Sequence, residues 1–193
     1  MIAEHVTNGE KHAITHARIR YKRIPPMAHD DAKEALLRFK EVYDRHGITF
    51  WLVFGTLLGA VRDGDFIPWD TDIDLACYWT DLEKICVALD ELQVMGFQVI
   101  MATEDDGFFE VQWKGIYIHV GVMRLFRGTM WQYAWACERH DYFSKLKTIP
   151  FLGTTFLIPQ DAEAYLREHY SGERWKTPDP SYKQARIFKV KRG

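Results

Sequence analysis

Cysteine is scarce: Cys77, Cys86 and Cys137 are the whole complement, and no two of them form a CxxC pair. An odd, scattered set excludes a disulfide framework and a cysteine-built zinc site, leaving buried reduced thiols as the simple reading. Long apolar runs are absent too. Nothing approaches the roughly 20 residues of a membrane span, and the opening MIAEHVTNGEKHAITHARIR has no apolar core of a secretory leader. The expectation is a cytoplasmic protein without a transmembrane segment. Positive charge is not in excess: the formal net charge is −2, which argues against nucleic-acid binding driven by a bulk basic field. Basic residues gather only near the ends, at Arg18, Arg20, Lys22 and Arg23 and at Lys183, Arg186, Lys189, Lys191 and Arg192. These read as solvated termini, with weak association to an anionic membrane surface as the alternative. Repeats and low-complexity stretches are also missing.

What is present builds a core. Hydrophobic residues make up 47% and aromatics 15% of 193 residues, a globular composition at single-domain length. Residues 1–29 read as an N-terminal arm ending in the breaker Pro25-Pro26, and 30–193 as one domain. Asp30 is a suitable N-cap for a helix carrying Ala32, Ala35, Leu36, Phe39, Val42 and Tyr43 at helical spacing, closed by Gly47. Ile48–Phe54 reads as a buried strand, followed by a short helix capped by Thr56 and running to Arg62. A strand over 70–78, a helix from Thr80 to Gly96, and strands over 97–102, 108–113 and 116–125 follow, with turns at 104–107 and 114–115. Residues 129–147 read as helical; 151–158 as a strand pair; 161–170 as a helix. This order predicts an α+β domain with a mixed β-sheet flanked by helices.

The chemistry concentrates in Phe54-Gly-Thr-Leu-Leu-Gly-Ala-Val-Arg62 and Phe66-Ile-Pro-Trp-Asp-Thr-Asp-Ile-Asp74. On a strand, residues two apart share a face at roughly 7 Å. Asp70, Asp72 and Asp74 would therefore line up as like charges, with no cation beside them in sequence. A divalent ion relieves that repulsion, and Mg²⁺ typically takes one or two carboxylates and fills its shell with water and phosphate. Asp72 and Asp74 suit that role, with Asp70 as a third ligand or a support. A calcium loop of the EF-hand type fails, because its sixth position would be Leu75 and its twelfth Asp81. A plain solvated strand face is disfavoured by the apolar flank Phe66-Ile-Pro-Trp69. Gly55 and Thr56, between strand and helix, would offer free N–H groups, close approach and a hydroxyl to a phosphate, and Arg62 a charged contact.

These strings resemble the LicD/fukutin family of nucleotidyltransferase-fold proteins, whose hallmark looks like Gly-Thr-Leu-Leu-Gly-Ala-Val-Arg followed by Ile-Pro-Trp-Asp-x-Asp-Ile-Asp. The ending is similar too: Phe156-Leu-Ile-Pro-Gln-Asp161, Tyr165-Leu166, Tyr170 and Trp175 to Pro178. The resemblance covers roughly residues 30–180. It implies a nucleotidyltransferase-type fold and transfer of phosphocholine or a phospho-polyol from a CDP-activated donor to a hydroxyl of a glycan or lipid-linked glycan, with Mg²⁺ (or Mn²⁺). It implies that Gly55 and Thr56 hold donor phosphate and that Asp72 and Asp74 hold the metal. The family's later strand carries a third carboxylate in a pattern like Asp-Ile-Phe-Pro. Here that strand reads Tyr117-Ile-His-Val-Gly-Val-Met-Arg124, and Gly121 is expected at the acidic position. His119, two residues away on the same face, is a candidate ligand or base, against the alternative of a half-buried structural histidine; Glu110 on the preceding strand is another candidate.

Two other functions stay open on the residues alone. One is a nucleotide- or glycan-binding member that lost catalysis with its third acid; the other is attachment of a nucleoside monophosphate to a protein or small molecule. His12 and His16 have the spacing of helical ligands but lack a third partner, and Trp131, Tyr133 and Trp135 are core aromatics before they are a stacking platform.

Overall fold

The structure is a computed structural model, and it describes residues 24–103, 108–126, 129–132 and 136–181. The expected turn at 104–107, the pair His12 and His16, Tyr133, Trp135, most of the expected arm and the basic runs at both ends lie outside the described residues. Helix α1 spans His29–Arg45, β1 Phe50–Leu52, α2 Phe54–Arg62, β2 Asp72–Tyr78 and α3 Leu82–Val94. Strands β3 (Gln98–Thr103), β4 (Phe108–Trp113), β5 (Ile116–Phe126), β6 (Thr129–Gln132) and β7 (Ala136–Arg139) follow. A short helix α4 (His140–Phe143), the hairpin β8 (Leu146–Phe151) and β9 (Thr154–Pro159), and α5 (Ala162–His169) complete the order.

The main sheet runs β1-β2-β5-β4-β3, with β6 pairing onto β5 and β7 onto β6. Only β2 and β5 pair in parallel within it; the other pairings are antiparallel. This is the expected α+β architecture, a mixed sheet flanked by helices. Alternation explains how the sheet divides into two faces. Ile73 and Leu75 on β2, Ile118 and Val120 on β5, and Phe109 and Val111 on β4 are all buried. The intervening positions, Asp72, Asp74, Tyr117, His119 and Glu110, are polar. The apolar face of α1, Ala32, Ala35, Leu36, Phe39, Val42 and Tyr43, is buried as its spacing requires. Phe39 stacks on Tyr43 at 4.1 Å between ring centroids. α1 packs on α3, whose Ile85, Ala88, Leu89 and Leu92 are buried, and on β5. A fully buried side chain of this size contributes roughly 1.5–3 kcal/mol.

Several boundaries differ from the sequence reading. β1 is only three residues long, because Val53 already turns into α2. α1 starts at His29 with Ala28 at the N-cap and no capping side chain, so Asp30 sits in the first turn, where its charge suits the helix dipole. Met27 donates its N–H to the Asp70 carbonyl at 2.8 Å and packs on the core, so the chain is already docked before residue 30. A 3₁₀ turn over Trp79–Asp81 precedes α3. The largest correction is at 129–147. It is not one helix but β6, β7, the single turn α4 and the start of β8. α5 does begin at the expected Asp161, whose side chain accepts from the Ala164 N–H at 3.1 Å.

Candidate active site

Asp74 is fastened by the turn between β1 and α2. Its N–H donates to Thr56 Oγ1 at 2.8 Å, and its carbonyl accepts from the Val53 N–H at 3.2 Å. Thr56 is buried, at 1% exposure. Its hydroxyl therefore grips the strand and does not cap the helix, which has Val53 at its N-cap and no side-chain cap. Forming this turn puts Phe54 in the left-handed region, at φ 45°, a conformation costly for a bulky residue. The Phe54 ring lies against His169 and Tyr165 of α5, with centroids at 5.6 Å and 6.3 Å, so packing from α5 holds the turn.

Asp70 approaches the same turn from the other side. A Cβ placed on Gly55 would stand 2.5 Å from Asp70 Oδ2, so glycine at 55 makes room for this carboxylate. Asp70 precedes β2 and does not continue its face. It is held by its N–H to the Ile67 carbonyl at 3.0 Å, and its Oδ1 accepts from the Thr71 N–H at 3.0 Å. Burial, and then the charge of Asp72, push its carboxyl up to about 7. Burial, and then Asp72, likewise hold Asp74 well above the usual carboxylate range.

The other side of the site comes from β5 and β4. Asp74 pairs with His119, and His119 pairs with Glu110, so three strands present one row. His119 Nδ1 lies 3.0 Å from Asp72 Oδ2 and 3.8 Å from Asp74 Oδ1, while Nε2 lies 2.7 Å from Glu110 Oε2. Burial alone would lower the imidazole's pKa, but hydrogen bonds to Asp72 and Glu110 and the charge of Asp74 outweigh it, raising the pKa to about 10. The Phe108 ring covers His119 at 5.7 Å. Asp72, Asp74 and His119 each offer a ligand atom within 4.8 Å of the others. Two carboxylate oxygens and an imidazole nitrogen at that spacing suit one divalent cation.

A family described as LicD/FKTN/FKRP, nucleotidyltransferase domain, matches residues 47–161, more than half of the chain and all of this site. The chain belongs to that family. Human ribitol 5-phosphate transferase FKRP is 31% identical over 157 residues, covering 74% of this chain and 31% of that protein. The chain thus spans about a third of the length of this relative. Among solved structures, the lincosamide antibiotic adenylyltransferase LnuA bound to lincomycin has a TM-score of 0.50 at 15% identity, covering 69% of this chain and 82% of that one. The solution structure of the antibiotic-resistance factor ANT(2'')-Ia has a TM-score of 0.51 at 14% identity, covering 78% and 76%. At such identities these likenesses speak for the fold alone, the nucleotidyltransferase type.

Within the LicD/FKTN/FKRP frame, the structure unites Asp72, Asp74 and His119 and places Gly55, Thr56 and Asp70 behind them. Arg62 is elsewhere. It sits at the far end of α2, roughly 10 Å along the axis from Gly55. There its guanidinium pairs with Asp63 at 2.6 Å and reaches the Trp175 carbonyl at 3.4 Å. Its charge is paired with Asp63, away from Asp72 and Asp74. Gly121 pairs with Ala76 and Phe108, one alternation beyond the acids. The residue opposite Asp74 in that strand is His119, and Glu110 of the next strand stands opposite His119.

Proposed function

We propose that this domain transfers a phospho-substituent, phosphocholine or a phospho-polyol, from a CDP-activated donor to a hydroxyl of a glycan or lipid-linked glycan, with a divalent cation. The observation carrying this reading is the Asp72 and Asp74 pair, held side by side and partly open beside the turn into α2. The name of the human relative, a ribitol 5-phosphate transferase, supports a phospho-polyol as the transferred group. Asp72 and Asp74, with His119, would hold the cation, which when bound withdraws charge from the donor's phosphate oxygens and favours departure of CMP. Thr56 serves by fixing Asp74, so that the carboxylate needs no rearrangement when donor arrives, and Gly55 makes room for Asp70. Asp70 backs the pair. The donor diphosphate would approach the exposed edges of Asp72 and Asp74, whose side chains retain 25% and 21% exposure. Among the described residues no helix is long and apolar enough to cross a membrane.

The test is release of CMP from CDP-choline, CDP-glycerol and CDP-ribitol in the presence of glycan acceptors and a dication. Turnover of one CDP donor, lost in Asp74→Asn, is expected. A protein that binds these donors in a thermal-shift assay but releases no CMP is a binding member of the family. Pyrophosphate release from a nucleoside triphosphate, without turnover of any CDP donor, would replace this reading with nucleotidyl transfer, the kind of reaction that the name of LnuA carries.

A further inference from the structure

The row Asp74–His119–Glu110 has a chemistry that an all-oxygen site lacks. His119 presents Nδ1 to Asp72 and Asp74, while Nε2 meets Glu110 at 2.7 Å. Glu110 is 6% exposed and enters from a neighbouring strand with its carboxylate against the ring. A ligating histidine typically gives its second ring N–H to such a carboxylate, which fixes the tautomer, aims the lone pair of the first nitrogen and makes it more basic. The Phe108 ring against His119 restricts the imidazole further.

We infer that this site selects a first-row transition dication over Mg²⁺, with His119 Nδ1 as a ligand alongside Asp72 and Asp74 and with Glu110 as the residue that positions the imidazole. This rests on the proposed function for the presence of a dication but not for its identity. The physical reason is ligand preference. Mg²⁺ is hard, favours oxygen and sheds water reluctantly, whereas an imidazole nitrogen adds affinity for transition ions in the order Mn²⁺ below Co²⁺. The ligand atoms fit a single ion, since all three lie within 4.8 Å of one another. The alternative role for the pair, a purely structural bridge between strands, needs no third partner at Nδ1. Here Nδ1 is aimed at both aspartates.

The experiment uses the whole chain, freed of metal by chelation and titrated separately with Mg²⁺, Mn²⁺ and Co²⁺ by calorimetry, with pulsed electron paramagnetic resonance on the Mn²⁺ form. The expected order of affinity is Co²⁺ above Mn²⁺ above Mg²⁺, with a ¹⁴N modulation from one imidazole in the Mn²⁺ spectrum of the unmodified protein. His119→Asp should abolish the ¹⁴N signal and bring Mn²⁺ and Mg²⁺ close to parity. Glu110→Gln should retain the ¹⁴N signal while weakening Co²⁺ and Mn²⁺ by roughly 10–100-fold, the usual loss when such a supporting group is removed. Tight binding of all three ions without ¹⁴N modulation, and with no preference among them, would overturn the inference and leave the proposed function standing. Failure of every dication to bind the unmodified chain would remove both. Circular dichroism of each variant separates loss of ligand from loss of fold, and the ¹⁴N measurement on the unmodified protein needs no variant at all.

Discussion

The aspartate side and the histidine side of the site restrain charge by different means. On the aspartate side, Asp70, Asp72 and Asp74 are crowded carboxyl groups, and backbone N–H groups fix two of them in place: Thr71 N–H on Asp70 Oδ1, and the Asp74 N–H on Thr56 Oγ1. On the histidine side, Glu110 and His119 are opposite charges when the ring is protonated, and side chain holds side chain at 2.7 Å. The first arrangement is rigid but electrostatically unfavourable until a cation arrives; the second neutralises itself and needs none. In the metal-free state a proton on His119 therefore does the work that a dication would do, facing Asp72 at 3.0 Å. The comparison teaches that preorganisation and compensation are split between two regions that meet in one place.

The most damaging way to break the aspartate side is Asp74→Asn. It should eliminate measurable dication binding in calorimetry and reduce CMP release by at least about 10²-fold, the scale of losing a preorganised electrostatic group. Circular dichroism should stay native, because the backbone bonds of residue 74 remain. Gly55→Ala comes next. Its Cβ would meet Asp70 Oδ2 at 2.5 Å, and overpacking of this kind costs about 1–3 kcal/mol, read as a lower urea midpoint. Asp70→Ala in the same chain should recover most of that loss; equal loss in single and double variants would show that the clash is not with Asp70. Thr56→Val keeps the volume and removes the acceptor for the Asp74 N–H, costing about 1–2 kcal/mol in the same assay. An unchanged midpoint would mean that the N–H had found another partner.

A further expectation concerns pH. Asp70 is raised from 3.8 to about 7, so between those values the native state keeps a proton that the unfolded chain releases. Stability of the chelator-treated protein should then fall as pH rises through that window. Asp70→Asn should make the fall shallower, leaving the part due to Asp74. A slope unaltered by the substitution would show that Asp70 is already ionised in the folded protein at low pH.

Much of the aspartate side was legible in the sequence because it is local. Gly55, Thr56, Asp70, Asp72 and Asp74 fall within twenty residues, and their spacing on a helix start and a strand speaks for itself. What spacing could not show is the inward use of Gly55 and Thr56: the glycine makes room for Asp70, and the hydroxyl accepts from the Asp74 N–H. The histidine side depends on pairing. Half of it was available, since the two-residue turn Lys114-Gly115 sets Trp113 opposite Ile116, and counting back along both strands brings Glu110 opposite His119. The other half, Asp74 opposite His119, follows from a parallel crossover through α3, β3 and β4 and has no local signal. The misread stretch at 129–147 has a simple cause. Its elements are too short for a periodic signal: β6 and β7 have four residues each and α4 is a single turn.

The turn at Lys114-Gly115 carries a consequence for how this domain tolerates mutation. Both of its residues have positive φ, 48° and 83°, as a tight two-residue hairpin requires. It lies roughly 13 Å along the strand from His119 and touches no group of the site. Substituting the exposed Lys114 should matter little, whereas Gly115 sits at a φ that other residues rarely adopt. Inserting or deleting a single residue there is another matter, because slipping β4 by one position against β5 would rotate Glu110 toward the apolar layer and bring a hydrophobic neighbour against the imidazole. The hairpin is therefore confined in its length and, at Gly115, in its backbone conformation, while Lys114 tolerates other residues that accept a positive φ.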